Sequence, residues 1–327
     1  MKPRLGFLGV GWIGRHRMEC IANSGAATIA AVADESPDAA AKAAGSTKAA
    51  IAEPTIDSLL AHDLDGLVIA TPSALHADQS VAALSSGLAV FCQKPLARSG
   101  EETRRVIDAA RAADRLLGVD LSYRYTRGMQ CVRELVQANE LGSVYAVDLT
   151  FHNAYGPDKA WFHDPKLSGG GCVIDLGIHL VDLAMWTLGF PRVNDVTSRL
   201  WSNGAPLRSA HDEVEDYAVA RIDLETGATI TLTCSWNLPA GRDALIGATF
   251  YGTKGGAALR NVNGSFYDFT AERYRGTSTE RLCAPPDEWG GRAAVDWAMR
   301  LASGTRYDPA VERIGDVADT LDRIYGR

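Results

Sequence analysis

The sequence predicts an α/β fold in two parts: a doubly wound parallel sheet over residues 1–121, then a second domain over 122–327 built on a mostly antiparallel sheet. Three observations carry the prediction. Apolar strand-like runs alternate with helical runs from Arg4 to Val119, the pattern of a parallel sheet wound by crossover helices. A glycine-rich turn joins the first strand to the first helix. Beyond Ser122 the pattern changes to successive strands of alternating polarity, joined by short turns such as Glu225-Thr226-Gly227. A chain of 327 residues also exceeds one ordinary core and suits two.

Each element has its local reason. Arg4 to Leu8 reads as an apolar strand and Ile13 to Asn23 as the helix after it, with Gly9-Val10-Gly11-Trp12-Ile13-Gly14 between them. In a strand–turn–helix setting, Gly9 permits the tight turn, Gly11 bares backbone to a pyrophosphate, and Gly14 lets helix and strand pack closely. Trp12 and Ile13 are candidate cofactor contacts at the entry to that helix, whose free N–H donors suit an anion. Thr28 to Ala33 is a second strand, ending in Asp34 near the place expected for a ribose-binding acid. Short helices over Pro37 to Ala44 and Ile56 to Ala61 follow. Then come the strand Asp65 to Ala70 ending at Thr71-Pro72, a helix from Ala74 to Ser86, and the strand Leu88 to Cys92 ended by Gln93-Lys94-Pro95. Glu101 to Asp114 is amphipathic, and Leu116 to Val119 completes the sheet. In the second domain, helices are expected over Met129 to Asn139 and Val173 to Leu188. Strands are expected over Tyr145 to His152, Val193 to Trp201, Tyr217 to Asp223, Thr229 to Trp236 and Ala244 to Tyr251. Two helices, Ala293 to Ala302 and Val311 to Ile324, close the chain.

Composition narrows the function classes. Net charge is −7, from 33 basic and 40 acidic residues without a basic block, which argues against nucleic acid or an anionic membrane as a main partner. No uninterrupted apolar run approaches the roughly 20 residues of a membrane span. The first strand begins too close to Met1 for a signal peptide. The six cysteines are scattered without a CxxC, so neither a disulfide framework nor a zinc site is expected. These features lead to the expectation of a soluble cytoplasmic protein with free thiols and no metal.

The candidate chemistry lies beyond the carboxyl ends of the strands. The Asp34 carboxylate suits ribose hydroxyls and repels a 2′-phosphate, so NAD is expected rather than NADP. Lys94, directly after a buried strand, places an ammonium where it can stabilise a developing alkoxide, although such a lysine can also simply cap the sheet with charge. In the run from Gly169 to Asp182, the residues Asp175, His179 and Asp182 share one face of a regular helix. A histidine with a carboxylate one turn earlier suits general base work. The same residues could be a hydrogen-bonded core histidine or a metal face, and Asp182 reads as structural. Arg124, Tyr155, Trp161, His163 and Trp236 are candidate substrate contacts; aromatic faces with few polar groups suit a sugar or cyclitol ring, and tryptophans serve core packing equally well.

With Gly9, Gly11 and Gly14, the Ala70-Thr71-Pro72 step followed by His76, Lys94-Pro95, and the Gly169-to-Asp182 run, the chain resembles the Gfo/Idh/MocA family over essentially its whole length. The resemblance implies a Rossmann domain followed by an α/β domain with a large open, mostly antiparallel sheet that commonly mediates homodimers or homotetramers. It implies a catalytic group of Lys94, Asp175 and His179: His179 takes the proton of a secondary hydroxyl, Asp175 hydrogen-bonds within the group, and Lys94 holds the substrate oxygen. Thr71, Pro72, His76 and Gln93 join the expected cofactor contacts. Gln93 departs from the glutamate usual before this lysine. The expected activity is NAD-dependent interconversion of alcohol and ketone on a sugar or cyclitol. A redox-neutral glycosidase and a ligand-sensing regulator are the alternatives.

Overall fold

A computed structural model describes residues 2–47 and 50–327. The chain divides into two compact units, residues 1–122 with 291–315, and residues 123–290 with 316–327.

The first unit runs β1 (Arg4–Leu8), α1 (Trp12–Ser24), β2 (Thr28–Ala33), α2 (Pro37–Gly45), β3 (Ile51–Glu53), α3 (Ile56–Leu60), β4 (Gly66–Ile69), α4 (Ser73–Ser85), β5 (Ala89–Cys92), α5 (Gly100–Ala113) and β6 (Leu117–Val119). Its described strands pair in parallel in the order β3-β2-β1-β4-β5-β6. Every residue of β4 and β5 is buried, as expected of strands covered on both faces. The order reverses between β1 and β4, which makes the carboxyl ends of those strands a ligand crevice.

The second unit runs α6 (Arg127–Gln137), β7 (Val144–Asn153), α7 (Pro165–Ser168), a π-helical turn (Val173–Gly177), α8 (Ile178–Leu188), β8 (Val193–Ser202), β9 (Ala205–Pro206), β10 (Tyr217–Leu224), β11 (Thr229–Ser235), β12 (Ala244–Gly252), β13 (Gly255–Asn261), β14 (Phe269–Arg275) and β15 (Ser278–Cys283). Its sheet has the order β15-β14-β13-β12-β7-β11-β10-β8-β9, antiparallel throughout except where β11 pairs with β7. Val147, Leu149 and Phe151 of β7 alternate inward with Ile230, Leu232 and Cys234 of β11, and α6 and α8 cover that face. Pro165–Leu188 is long and apolar enough by composition to cross a membrane, but 78% of its most apolar window is buried inside this fold. It is a core element beneath the sheet, with Asp175, His179 and Asp182 set among its apolar residues.

Two elements differ from the sequence expectation. The second domain is not one continuous segment: α9 (Arg292–Ala302) belongs to the first unit, and α10 (Arg313–Ile324) follows across the division at 315. Trp297 explains the return. Its ring lies 5.7 Å from Phe91, and a Cβ on Gly66 or Gly118 would meet the indole at 2.9 or 2.8 Å. Two glycines thus leave a slot in the sheet for one tryptophan far along the chain. Strands β13 to β15 also lie where the pattern identifies none. Gly255-Gly256-Ala257-Ala258 has poor β-propensity, and β15 is largely exposed, so pairing onto β12 rather than local preference makes them strands.

Candidate functional site

In the first unit the glycine turn is built as the spacing requires. Gly9 has φ +83, and a Cβ there would meet the Ala70 carbonyl at 2.6 Å. A Cβ on Gly14 would collide with the Gly9 carbonyl oxygen. Around Gly11 the outcome is the opposite: a Cβ would meet nothing within 4 Å, so bare backbone faces open space. Gly11 caps α1 without a side-chain hydrogen bond, and no acid occupies the first turn. That leaves a helix N-terminus suited to phosphate. Trp12 stands 73% exposed beside it and stacks on His16, while Ile13 is half-buried. Asp34 accepts the Val10 N–H at 2.7 Å and the Ser36 N–H at 2.9 Å, one on each oxygen. Each carboxylate oxygen keeps a lone pair for a ribose hydroxyl. These residues fit a dinucleotide.

The ends of β4 and β5 are tied together by His76, which is 1% exposed. Its Nδ1 lies 2.7 Å from the Pro95 carbonyl and its Nε2 2.7 Å from the Thr71 carbonyl. A neutral imidazole donates to only one of them. Burial holds its pKa below the ordinary value, with Lys94 adding to that effect and the two carbonyls opposing it. Thr71 donates its hydroxyl to Gln79 at 2.6 Å, and Pro72 caps α4. The Gln93 amide donates inward to Asp120. The His76 and Gln93 side chains are thus buried and bonded within their own unit, His76 to the Pro95 and Thr71 carbonyls and Gln93 to Asp120. Lys94 follows half-buried, joined to Pro95 by a cis peptide.

The second unit gathers most of the expected substrate residues. Glu215, fully buried, accepts the N–H groups of Gly171 at 2.9 Å and Val173 at 2.8 Å, and the Tyr325 hydroxyl at 2.8 Å. It pins the start of the π-helical turn that carries Asp175. Because of that turn, one regular helical wheel does not relate Asp175 to His179 and Asp182, as a 3.6-residue period had implied. The three side chains go to different neighbours. Asp175 accepts the Trp236 indole N–H at 3.1 Å. His179 packs against the ring of buried Tyr123, centroids 4.8 Å apart, with Trp289 on that ring as well. Asp182, fully buried, takes a bidentate pair from Arg124, whose guanidinium also lies over Trp186 and Phe190. Arg124 is therefore occupied by an internal carboxylate.

The aromatic candidates form one cluster. Trp236 meets His163 edge-on at 5.9 Å and Phe162 at 6.4 Å, and Phe162 stacks on Trp161 at 3.8 Å. The Tyr155 carbonyl accepts the N–H of Asn237, next to Trp236, and the Tyr155 hydroxyl donates to Asp243 at 2.5 Å. The cluster thus contains Asp175, Trp236, His163, Trp161 and Tyr155. Among the described residues no group of three His, Cys, Asp or Glu is placed to hold a metal. Tyr123, Glu215, Asp120 and Arg17 escaped the sequence reading. Glu215 sits in an acidic run before β10 that looks like a solvated loop, and its partners lie 42, 44 and 110 residues away.

The comparisons with known proteins agree with this architecture. Residues 4–121 match the family model of the GFO/IDH/MocA oxidoreductases with an NAD-binding Rossmann fold, and residues 129–258 match the GFO/IDH/MocA C-terminal domain. D-glucoside 3-dehydrogenase of Escherichia coli strain K12 is 31% identical over 211 residues, 62% of this chain and 60% of that protein, less than two thirds of its length. Rhizopine catabolism protein MocA of Rhizobium meliloti is 30% identical over 259 residues, 79% of this chain and 78% of that protein. The crystal structure of GenD2 from gentamicin A biosynthesis, in complex with NAD, is similar with a TM-score of 0.83 at 26% identity, covering 100% of this chain and 95% of its own. The chain belongs to the GFO/IDH/MocA oxidoreductase family, with its NAD-binding Rossmann domain and its C-terminal domain.

Proposed function

We propose that this enzyme transfers hydride between NAD(H) and the secondary alcohol or ketone of a neutral sugar or cyclitol. The observation that supports this best is the surroundings of Asp175 and His179. Both are half-buried on successive turns, and both neighbours are aromatic, Trp236 and Tyr123. A polar pair amid ring faces suits a polyol, which offers hydroxyls at its edge and C–H groups on its face. Arg124, a basic candidate for a substrate phosphate, is held by Asp182. The name of the D-glucoside 3-dehydrogenase among the relatives points to the same substrate class.

Bound NAD supplies the hydride acceptor. The open backbone at Gly11 and the unblocked start of α1 hold its phosphates, and Asp34 favours it over NADP. His179 takes the hydroxyl proton on its ring nitrogen, and Trp236 holds the Asp175 carboxylate. Lys94 supplies positive charge for the developing alkoxide. The test is a screen of NAD and NADP reduction across free hexoses, pentoses, inositols and nucleotide sugars, repeated with Lys94→Ala and His179→Ala. Turnover that survives both substitutions overturns the assignment. Cleavage of a chromogenic glycoside without net NADH identifies the redox-neutral alternative instead.

A further inference from the structure

The first unit contains a buried polar cluster that none of the roles above uses. Arg17 of α1 donates through Nε to Asp120 Oδ2 at 2.6 Å, and the Gln93 amide donates to the same oxygen. Ser122 donates its hydroxyl to Asp120 Oδ1 at 2.7 Å, and Arg17 Nη2 donates to Ser122 at 3.2 Å. All four residues are 8% exposed or less. Arg17 Nη1 donates to His16 Nδ1 at 2.7 Å, which requires that nitrogen unprotonated, and burial and the guanidinium both lower the pKa of His16. The cluster therefore balances one cation against one anion.

Burying such a pair is seldom favourable for stability alone, since well-packed apolar residues serve as well or better. What the pair adds here is position. Its members come from three segments: the helix that begins at the glycine turn (Arg17), the residue after β5 (Gln93), and the first and third residues after β6 (Asp120 and Ser122). The residue after Gln93 is Lys94. We propose that the Arg17–Asp120 pair is a positioning device for Lys94: Asp120 grips the Gln93 amide, and Arg17 anchors that grip to the helix forming the phosphate cradle. This rests on the role proposed for Lys94. It also accounts for glutamine at position 93. A glutamate there would press a second carboxylate against Asp120 with one guanidinium between them, and the two acids would have to share a proton.

The charge arrangement permits a rescue test. Gln93→Glu doubles the acid, Asp120→Asn removes it, and Gln93→Glu/Asp120→Asn exchanges acid and amide while restoring one negative charge. Each single substitution should lower kcat by about tenfold to a hundredfold through misplacement of Lys94, leaving the nucleotide KM within about threefold. The exchange variant should return kcat to within about threefold of wild type. A second readout is the acetylation rate of Lys94 by acetic anhydride, measured by mass spectrometry against exposed Lys42 and Lys254. That rate should change in the single variants and revert in the exchange variant. Gln93→Met, which removes the amide donor and keeps the ion pair, stands in for any single variant that fails to fold. Wild-type kcat and labelling in the single variants, or an exchange variant no better than the poorer single, overturns the proposal. If the wild-type enzyme reduces no polyol with NAD, the functional reading fails separately, and Lys94 labelling still reports on the clamp.

Discussion

Glu215 offers a sharp test of how the second unit places Asp175. Its carboxylate is fully buried and receives three donors: Gly171 N–H on Oε2, and Val173 N–H with the Tyr325 hydroxyl on Oε1. A carboxylate can accept all three; an amide cannot. In Glu215→Gln the amide oxygen can keep the Val173 and Tyr325 bonds, but the NH2 group then faces the Gly171 N–H. The buried Gly171 N–H loses its acceptor and the NH2 meets a donor, at a cost of about 1–3 kcal/mol for the orphaned N–H alone. Glu215→Ala strands all three donors, and its cost should reach about 4–5 kcal/mol, the upper end for single substitutions. The assay is urea unfolding, with the midpoint lowered and the slope unchanged, together with amide exchange at Gly171 and Val173. The exchange data localise the effect to the turn that begins two residues before Asp175. If Glu215→Gln lies within about 0.5 kcal/mol of wild type and those amides stay protected, the three hydrogen bonds do not hold the turn.

Three further outcomes follow from the same geometry. Gly11→Ala should melt like wild type, because its Cβ meets nothing within 4 Å, yet bind NADH at least about tenfold more weakly; Gly14→Ala should lower Tm outright, because its Cβ strikes the Gly9 carbonyl. Melting with and without NADH separates the two. Arg124→Met leaves buried Asp182 unpaired and should cost about 3–5 kcal/mol in urea unfolding, whereas Arg124→Met/Asp182→Leu should recover much of it. Finally, His76, His16 and His152 all have pKa values lowered chiefly by burial from the ordinary 6.5. The unfolded chain therefore binds more protons than the folded one below that pH. Their contribution to stability is present above 6.5 and is lost as pH falls towards their folded values. For His76 the limiting slope is about 1.4 kcal/mol per pH unit. Tm measured from pH 7.5 down to 5.5 should fall, and His76→Gln should flatten the decline; a flat wild-type profile refutes the assignment.

Much of the fold was legible because its causes are local. The spacing of Gly9, Gly11 and Gly14 after an apolar strand is a steric statement about one turn, and the structure shows each glycine meeting its own constraint. The alternation of Val147, Leu149 and Phe151 declares a strand with one buried face, whatever its partner. Asp175, His179 and Lys94 stood out because their residue types are unusual beside apolar runs.

Other features depended on partners distant in sequence. Trp297 returns the end of the chain to the first unit because Gly66 and Gly118 leave room for its ring, and that fit exists only in three dimensions. The partner of Arg124 is Asp182, 58 residues on. The partners of His76 and Gln93, the Pro95 carbonyl and Asp120, lie 19 and 27 residues away. Sequence by itself determined the alternating strands and helices up to β12 and the chemical candidates, because periodicity and glycine sterics act over a few residues. Tertiary structure decided which polar groups remain available for chemistry, because a buried charge or donor must find its partner wherever the fold brings one.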